Sequence, residues 1–372
     1  MLASKWRTAK LGELVYFKTG KLDSNAAVPD GNYPFFTCSQ ETLRTNTYSF
    51  DTECVLLGGN NANGIFPLKY FHGKFDAYQR TYIVKPRDSE QLTTKFLYYA
   101  LRPKLSELRS FSTGAATKFL TLTILNETAI EIPLLDEQRR IASILSAYDE
   151  LIENNQRRIR ILEEMARSLY REWFVHFRYP GHESVSFVDS PLGQIPQGWE
   201  VKKLDDVLEL NYGKALKKED RRDGEYPVFG SSGVVGTHDT ALVEGPGIIV
   251  GRKGNVGSVF WCDDDFFVID TAYFVTSSLP LRFLFYVLPT LNFINSDAAV
   301  PGLSRNQAYT LGILVPPTSL LNQFCELAET FEWQAATLQR QTANLRRTRD
   351  LLLPRLLSGQ VAVFNDTPSI TA

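Results

Sequence analysis

The sequence predicts an α+β protein in which two duplicated α/β domains are separated by a pair of long antiparallel coiled-coil helices, with pseudo-two-fold symmetry inside one chain. Two observations carry this. The first is a repeat held at an offset of 193 residues: Trp6 meets Trp199, Lys10-Leu11 meets Lys203-Leu204, Gly20-Lys21 meets Gly213-Lys214, and "DGNYPFF" from Asp30 meets "DGEYPVF" from Asp223. With small deletions the match continues through Tyr82 and Tyr273, "KFLYYAL" and "RFLFYVL", Ala115-Ala116 and Ala298-Ala299, to Ile132-Pro133 and Val315-Pro316. Each copy exceeds a hundred residues, so these are domains rather than solenoid units. The second observation is the long segment that follows each copy, where apolar residues step by alternating four and three, the rhythm of a coiled-coil seam.

Taken in order, residues 1–133 form the first domain, 134–178 the first long helix, 179–316 the second domain, 317–360 the second long helix, and 361–372 a C-terminal tail. Within each domain, β-branched and aromatic runs such as "GIIVG" and "AYFVTSS" alternate with Gly, Asn and Asp turns and read as strands. One helix is expected over "TTKFLYYALRPKLSELRS" and its partner over "PLRFLFYVLPTLNFIN". The first seam runs through Ile141, Leu145, Tyr148, Ile152, Asn155, Ile159, Leu162, Ala166, Leu169 and Trp173. The second is placed on Phe324, Leu327, Phe331, Gln334, Leu338, Gln341, Leu345, Thr348 and Leu352. A lone helix exposing such a stripe would aggregate, so the two are expected to pack on each other, with the polar seam residues fixing register. At ~1.5 Å per residue each makes a rod of roughly 60 Å. Two similar heads on such a rod suit a ligand with two separated half-sites, of which duplex DNA is the commonest.

Composition excludes several classes. The chain has 372 residues and is 44% hydrophobic, as a folded protein of two or more domains requires. No apolar run approaches the ~18 residues of a membrane span, and "MLASKWRTAKLGELVYF" has no signal-like apolar core, so a cytoplasmic protein without a membrane partner is expected. Cys38, Cys54, Cys262 and Cys325 are scattered with no C-x-x-C pair, against a zinc site or disulfide framework. The four histidines, His72, His176, His182 and His238, lack metal-ligand spacing. There is no phosphate-binding loop of the P-loop type. Asp189, Glu200 and Lys202 have the look of a metal-dependent nuclease triplet, but the repeat partner Arg7-Thr8-Ala9 keeps neither Glu nor Lys, so an exposed strand edge is the better reading. No catalytic residue and no metal site are assigned.

Binding features are stronger. "GRKGNVG", Gly251 to Gly257, is a Gly-rich turn presenting Arg252, Lys253 and Asn255; its bland alternative is a charged hairpin tip. The first copy has "GGNNANG" in the same place, with Asn60, Asn61 and Asn63. Asn suits adenine, Arg and Lys suit guanine and phosphates. A second candidate segment carries Thr117 and Lys118 in the first copy, and Ser304 and Arg305 with Asn306 in the second. Lys214 opens a basic run through Lys217, Lys218, Arg221 and Arg222. Charge argues against a simple electrostatic mode: residues 1–133 carry 16 basic and 12 acidic side chains, residues 179–316 carry 11 and 17. A domain with a net excess of acid relies on local patches and a DNA-binding partner.

The ordered set of "IPLLDEQRRIASIL", "SLYREWF", "DGEYPVFGSSGVVG", "GRKGNVGSVF", "DTAYFV" and "LLLPRLLSGQV" resembles the specificity subunit of type I restriction-modification systems, over Trp6 to Val361. The resemblance implies two target-recognition domains, each reading one half of a bipartite site in double-stranded DNA, with the helices as a ruler for the spacer. It implies a non-catalytic subunit docked to two methyltransferase subunits and, further out, to restriction subunits. S-adenosylmethionine, ATP and Mg2+ then belong to those partners, with no cofactor on this chain. The recognition role falls on Asn60, Asn61, Asn63, Thr117 and Lys118 in the first domain and on Lys214, Arg252, Lys253, Asn255, Ser304 and Arg305 in the second. Docking falls on Tyr170, Trp173, Phe174 and Leu356, whose bland alternative is packing within the coil. "GGNNANG" lacks the Arg-Lys pair of its twin, so the half-sites are expected to differ and the whole target to be asymmetric. "VPPTSLLNQFC" loses the Glu-Gln-Arg-Arg of "IPLLDEQRRI", which leaves docking at that junction in doubt. The rival reading is a non-catalytic protein-interaction scaffold with two heads on a coiled-coil rod.

Overall fold

The computed structural model describes residues 6–114, 117–293, 302–361 and 363. Ala115-Ala116, Ala298-Ala299 and nearly all of the tail lie outside the described residues. The chain divides into two compact units, Met1–Asn155 with Arg340–Ala372, and Gln156–Gln339.

In the first unit a six-stranded sheet runs in the order Val15–Thr19, Thr81–Pro86, Phe50–Gly58, Leu68–Ala77, Tyr33–Phe36, Leu43–Thr45. Phe50–Gly58 is buried from Cys54 onward, as an interior strand covered on both faces must be. The second unit splits the same strands between two sheets. Four run Leu208–Tyr212, Ala272–Ser277, Gly247–Gly251, Val259–Cys262, and three run Gly233–His238, Tyr226–Gly230, Phe267–Val268. The repeated "DG" has a steric reason. A Cβ on Gly31 would lie 2.4 Å from the Thr45 nitrogen, and one on Gly224 would lie 2.3 Å from the His238 oxygen. In both copies the turn passes too close to a neighbouring backbone for any side chain.

Each domain is closed by a strand pair joining its two ends. Arg7–Lys10 pairs antiparallel with Ala129–Ile132, and Glu200–Lys203 pairs with Gly312–Val315 in the matching register, Arg7 opposite Ile132 and Glu200 opposite Val315. Glu200 and Lys202 alternate onto one face of their strand and form an exposed ion pair of 2.9 Å. Asp189 lies on a separate hairpin, Phe187–Ser190 with Gly193–Pro196, and is bonded to Gln194. The triplet lies at the surface on two separate strand pairs.

The single helix expected over residues 93–110 is two, Thr94–Leu101 and Lys104–Phe111, because Pro103 ends the first and starts the second. Its counterpart shortens to Leu281–Val287 plus a 3-10 turn, Leu288–Thr290.

The first long helix spans Leu135–Tyr170 and continues as one π turn, Arg171–Val175; the second spans Thr318–Leu357. All ten seam positions read for the first helix are buried or half-buried. The second seam requires correction. Leu327, Gln334, Gln341 and Thr348 are exposed; the buried stripe keeps the expected Phe324 and Leu338 and otherwise runs through Leu321, Cys325, Ala328, Ala335, Thr342, Leu353 and Leu356. Small Ala side chains hold the close face, and a reading that favoured large residues passed over them. In the second unit Ala335 and Leu338 pack on Ile159 and Leu162. In the first unit Leu353 and Leu356 share a core with Ile141, Ala142 and Leu145.

A duplicated joint ties each domain's helix to a long helix. In the first unit the Tyr99 hydroxyl donates to Asp149 at 2.8 Å, and Asp149 also receives Arg349 at 2.6 Å. In the second unit the Tyr286 hydroxyl donates to Glu332, which pairs with Arg282 at 2.5 Å, and the Arg282 guanidinium lies 3.6 Å from the centre of the Trp261 ring. Tyr99 and Tyr286 are repeat partners. Burial first, then the carboxylate bond, pushes both phenols well above their ordinary range.

Candidate nucleic-acid interface

The two loop segments singled out in each domain are distant in sequence and adjacent in space. In the first unit Asn60–Asn61 pairs antiparallel with Lys118–Phe119, Asn60 opposite Phe119 and Asn61 opposite Lys118. In the second unit Lys253 bridges to Gly302. Two backbone bonds at the centre of the junction recur in both copies. Gly59 donates to the Arg80 carbonyl at 2.8 Å and accepts from Leu120 at 2.9 Å; its partner Arg252 donates to Thr271 at 2.9 Å and accepts from Leu303 at 2.7 Å. The Tyr82 hydroxyl donates to the Leu120 carbonyl at 2.9 Å, and the Tyr273 hydroxyl to that of Leu303 at 3.1 Å. The last glycine of each loop is left-handed, Gly64 at φ 66° and Gly257 at φ 75°. Thus "GGNNANG" and "GRKGNVG" are one backbone device carrying two side-chain sets.

In the first unit Asn60, Asn61, Thr117 and Lys118 are half-buried and Asn63 is exposed. The Asn61 carboxamide oxygen accepts the Asn63 amide at 2.8 Å, a local turn that presents Asn63 outward. Asn60 Oδ1 is buried with no hydrogen-bond partner among the described residues. The Arg80 guanidinium lies over the Phe119 ring at 5.5 Å, a neighbour that sequence reasoning did not single out.

The second unit is built differently. Arg252 Nη1 donates to the Asp270 carbonyl at 3.0 Å, and Lys253 sits 3.9 Å from the Asp270 carboxylate. Asn255 is exposed, while Ser304 and Arg305 are half-buried. Ser304 precedes the short helix Arg305–Tyr309 without making a side-chain cap bond. Between these segments stands Tyr212, half-exposed at 50%, with Arg252 at 4.9 Å and Arg305 at 5.2 Å from its ring centre. Sequence reasoning missed Tyr212; the nearest signal was its place just before the repeated Gly213-Lys214. Lys214 is exposed on the same strand exit, its amide bonded to Val268. Further along the basic run, Arg221 is used on the Val235 carbonyl at 2.6 Å and Arg222 on Asp239 at 3.0 Å.

The four docking positions stand elsewhere. Tyr170, Trp173 and Phe174 are 6–8% exposed inside an aromatic cluster with Phe283 and Phe324, and Leu356 is 2% exposed in the first unit's core. A seam position is apolar because it faces its own partner helix, and packing is what these side chains do. The exposed apolar residues of the long helices are others, among them Leu151, Ile161, Met165 and Trp333.

Among the described residues no group of three or more His, Cys, Asp or Glu side chains is placed to hold a metal ion, and no helix is long and apolar enough to cross a membrane. The described cysteines are free, and three of the four are buried.

Two repeated α/β domains, each followed by a long helix and each carrying the same loop junction, define a class of internally duplicated two-domain proteins. The family model for the type I restriction modification DNA specificity domain matches residues 3–164 and 196–319, well over half of the chain, and the chain belongs to that family. The chain is 31% identical over 224 residues to the type I restriction enzyme EcoDI specificity subunit of Escherichia coli, covering 55% of this chain and 49% of that one. It is 27% identical over 313 residues to the MjaIX specificity subunit of Methanocaldococcus jannaschii, covering 75% and 71%. The match thus spans about half the length of the first of these relatives. The S subunit of a type I restriction-modification system from M. genitalium, solved as a crystal structure, shares the fold with a TM-score of 0.68 at 19% identity, over 96% of this chain and 97% of that one.

Proposed function

We propose that this chain is the DNA-reading, non-catalytic subunit of a type I restriction-modification complex, each unit recognising one half of a bipartite, asymmetric site in double-stranded DNA. The observation that carries the reading is the duplicated junction: one set of backbone bonds in both units, with Asn60, Asn61, Asn63, Thr117 and Lys118 on one and Lys214, Arg252, Lys253, Asn255, Ser304 and Arg305 on the other. A constant backbone with variable amide and cationic side chains suits one scaffold adapted to two different sets of base edges. It favours DNA over the scaffold reading, which does not call for such side chains in both places.

In this reading the long helices set the spacer and dock two methyltransferase subunits, with restriction subunits further out in the cytoplasm. S-adenosylmethionine, ATP and Mg2+ belong to those partners. Because the seam residues are buried, docking falls on outward side chains such as Leu151, Ile161, Met165 and Trp333. The test is adenine-methylation mapping in cells expressing this chain with its methyltransferase subunit. A two-part methylated motif with a fixed gap is expected. A stable complex that methylates no such motif would return the scaffold reading to first place.

A further inference from the structure

The second unit gathers three side chains from distant parts of the chain into one exposed cluster. Tyr212 ends the strand Leu208–Tyr212, Arg252 lies in the glycine loop, and Arg305 opens the short helix Arg305–Tyr309. Both guanidinium groups lie within about 5 Å of the Tyr212 ring centre, close enough for cation–π attraction. Each is held a second time, Arg252 by the Asp270 carbonyl at 3.0 Å and against the Tyr273 ring at 5.8 Å, Arg305 by the Leu210 carbonyl at 3.5 Å and against Tyr309 at 5.8 Å. Among the described residues no carboxylate pairs with either. An arginine has five N–H donors, so one bond to a carbonyl leaves a fork to offer. Two oriented guanidinium groups, half-open to solvent and without a carboxylate partner among the described residues, suit an anionic or acceptor-rich ligand.

The first unit carries other residues at these positions. The repeat partners of Tyr212, Arg252 and Arg305 are Thr19, Gly59 and Leu122. Thr19 and Leu122, with Tyr82, Phe17 and Lys18, line an open cleft of about 620 Å³ there. The cluster is therefore an addition to the shared scaffold and not a requirement of the fold.

We propose that Arg252 and Arg305 read guanine in the second unit's half-site and that Tyr212 is the positioning residue that holds them for it. The N7 and O6 acceptors of guanine in the major groove match a guanidinium fork, and a pre-oriented Arg loses little freedom in meeting them. The proposal rests on the DNA-reading function above.

The test is the methylated motif made by complexes carrying Arg252→Lys, Tyr212→Leu or Tyr212→Phe. The unaltered chain should give a guanine in the half read by the second unit. Arg252→Lys keeps the charge but not the planar fork. It should lower the preference for guanine at one position of that half by about five- to 150-fold, leaving the other half unchanged. Tyr212→Leu should loosen the same position, and Tyr212→Phe, which keeps the ring, should restore it. If Tyr212→Leu yields no folded complex, Arg252→Lys decides. A motif without guanine in that half, or one that Arg252→Lys leaves unchanged in every letter, overturns the proposal. Absence of any two-part motif from the unaltered chain overturns the underlying function instead.

Discussion

The two units share key backbone bonds at the glycine loops and have almost nothing in common in the side chains there. Gly59 and Arg252 make the same pair of backbone hydrogen bonds, yet one residue has no side chain and the other reaches Tyr212 and Tyr273. Away from the loops the relation reverses. Phe96 and Phe283 are repeat partners, both essentially fully buried, and the Tyr–carboxylate joint recurs with Asp in one copy and Glu in the other. The positions that pack are kept between the copies, while the side chains of the glycine loops differ. That is the pattern expected when stability constrains one set of positions and specificity another.

The comparison can be tested by paired substitutions. The largest effect should come from the cores: Phe96→Ala and Phe283→Ala should each cost about 3–5 kcal/mol, each in its own unit. Chemical denaturation followed by a probe in each unit checks this. Equal destabilisation of both units by either change would contradict the division into two.

The joints should come next and should differ. Asp149→Ala leaves Arg349 only the exposed Asp350, and Glu332→Ala leaves Arg282 only the exposed Asp263 at 3.8 Å; at side-chain exposures of 28% and 22%, about 1–3 kcal/mol is expected for each. Glu332→Gln should be milder, because burial already holds the Glu332 carboxyl above its ordinary range despite the Tyr286 hydrogen bond and the nearby Arg282. A carboxyl whose folded pKa is raised favours folding in its protonated form. The penalty of its charge should therefore shrink as pH falls from the raised value toward the unfolded value near 4.5. Wild type should gain stability relative to Glu332→Gln over that window, as read from urea midpoints; a relative loss would reverse the assigned cause.

The smallest effect separates two helix caps. The Thr121 hydroxyl accepts the Ile124 amide at 3.3 Å, whereas its partner Ser304 makes no cap bond. Thr121→Ala should cost about 1 kcal/mol and Ser304→Ala close to nothing in thermal unfolding. A Ser304 effect seen in DNA binding alone would assign that hydroxyl to the ligand.

Much of this was legible in the sequence, because repeats and seams are periodic. The offset from Trp6 to Trp199 located both domains, and the four-three rhythm located both helices. The buried face of the second helix was not legible, since Ala328, Ala335 and Thr342 carry a weaker apolar signal than the exposed Leu327. Pro103 did announce the break between two helices, and its signal was passed over. The loop segments were found because Gly and Asn cluster there, but their pairing through Asn61 and Lys118, or Lys253 and Gly302, is a long-range backbone contact. Tyr212 was invisible for the same reason: it meets Arg252 and Arg305 only after the strands are assembled. The aromatics expected to dock, Trp173 and Phe174, are buried against one another, a packing that the seam rhythm alone did not separate from docking.

The most direct test of the central claim, one unit for each half-site, is a methylation map from three complexes: the unaltered chain, one altered at Asn60, Asn61 and Asn63, and one altered at Arg252 and Lys253. The account predicts a two-part motif in which each altered chain changes one half only, and the two chains change opposite halves. A change in both halves from either alteration, or in the same half from both, would contradict it.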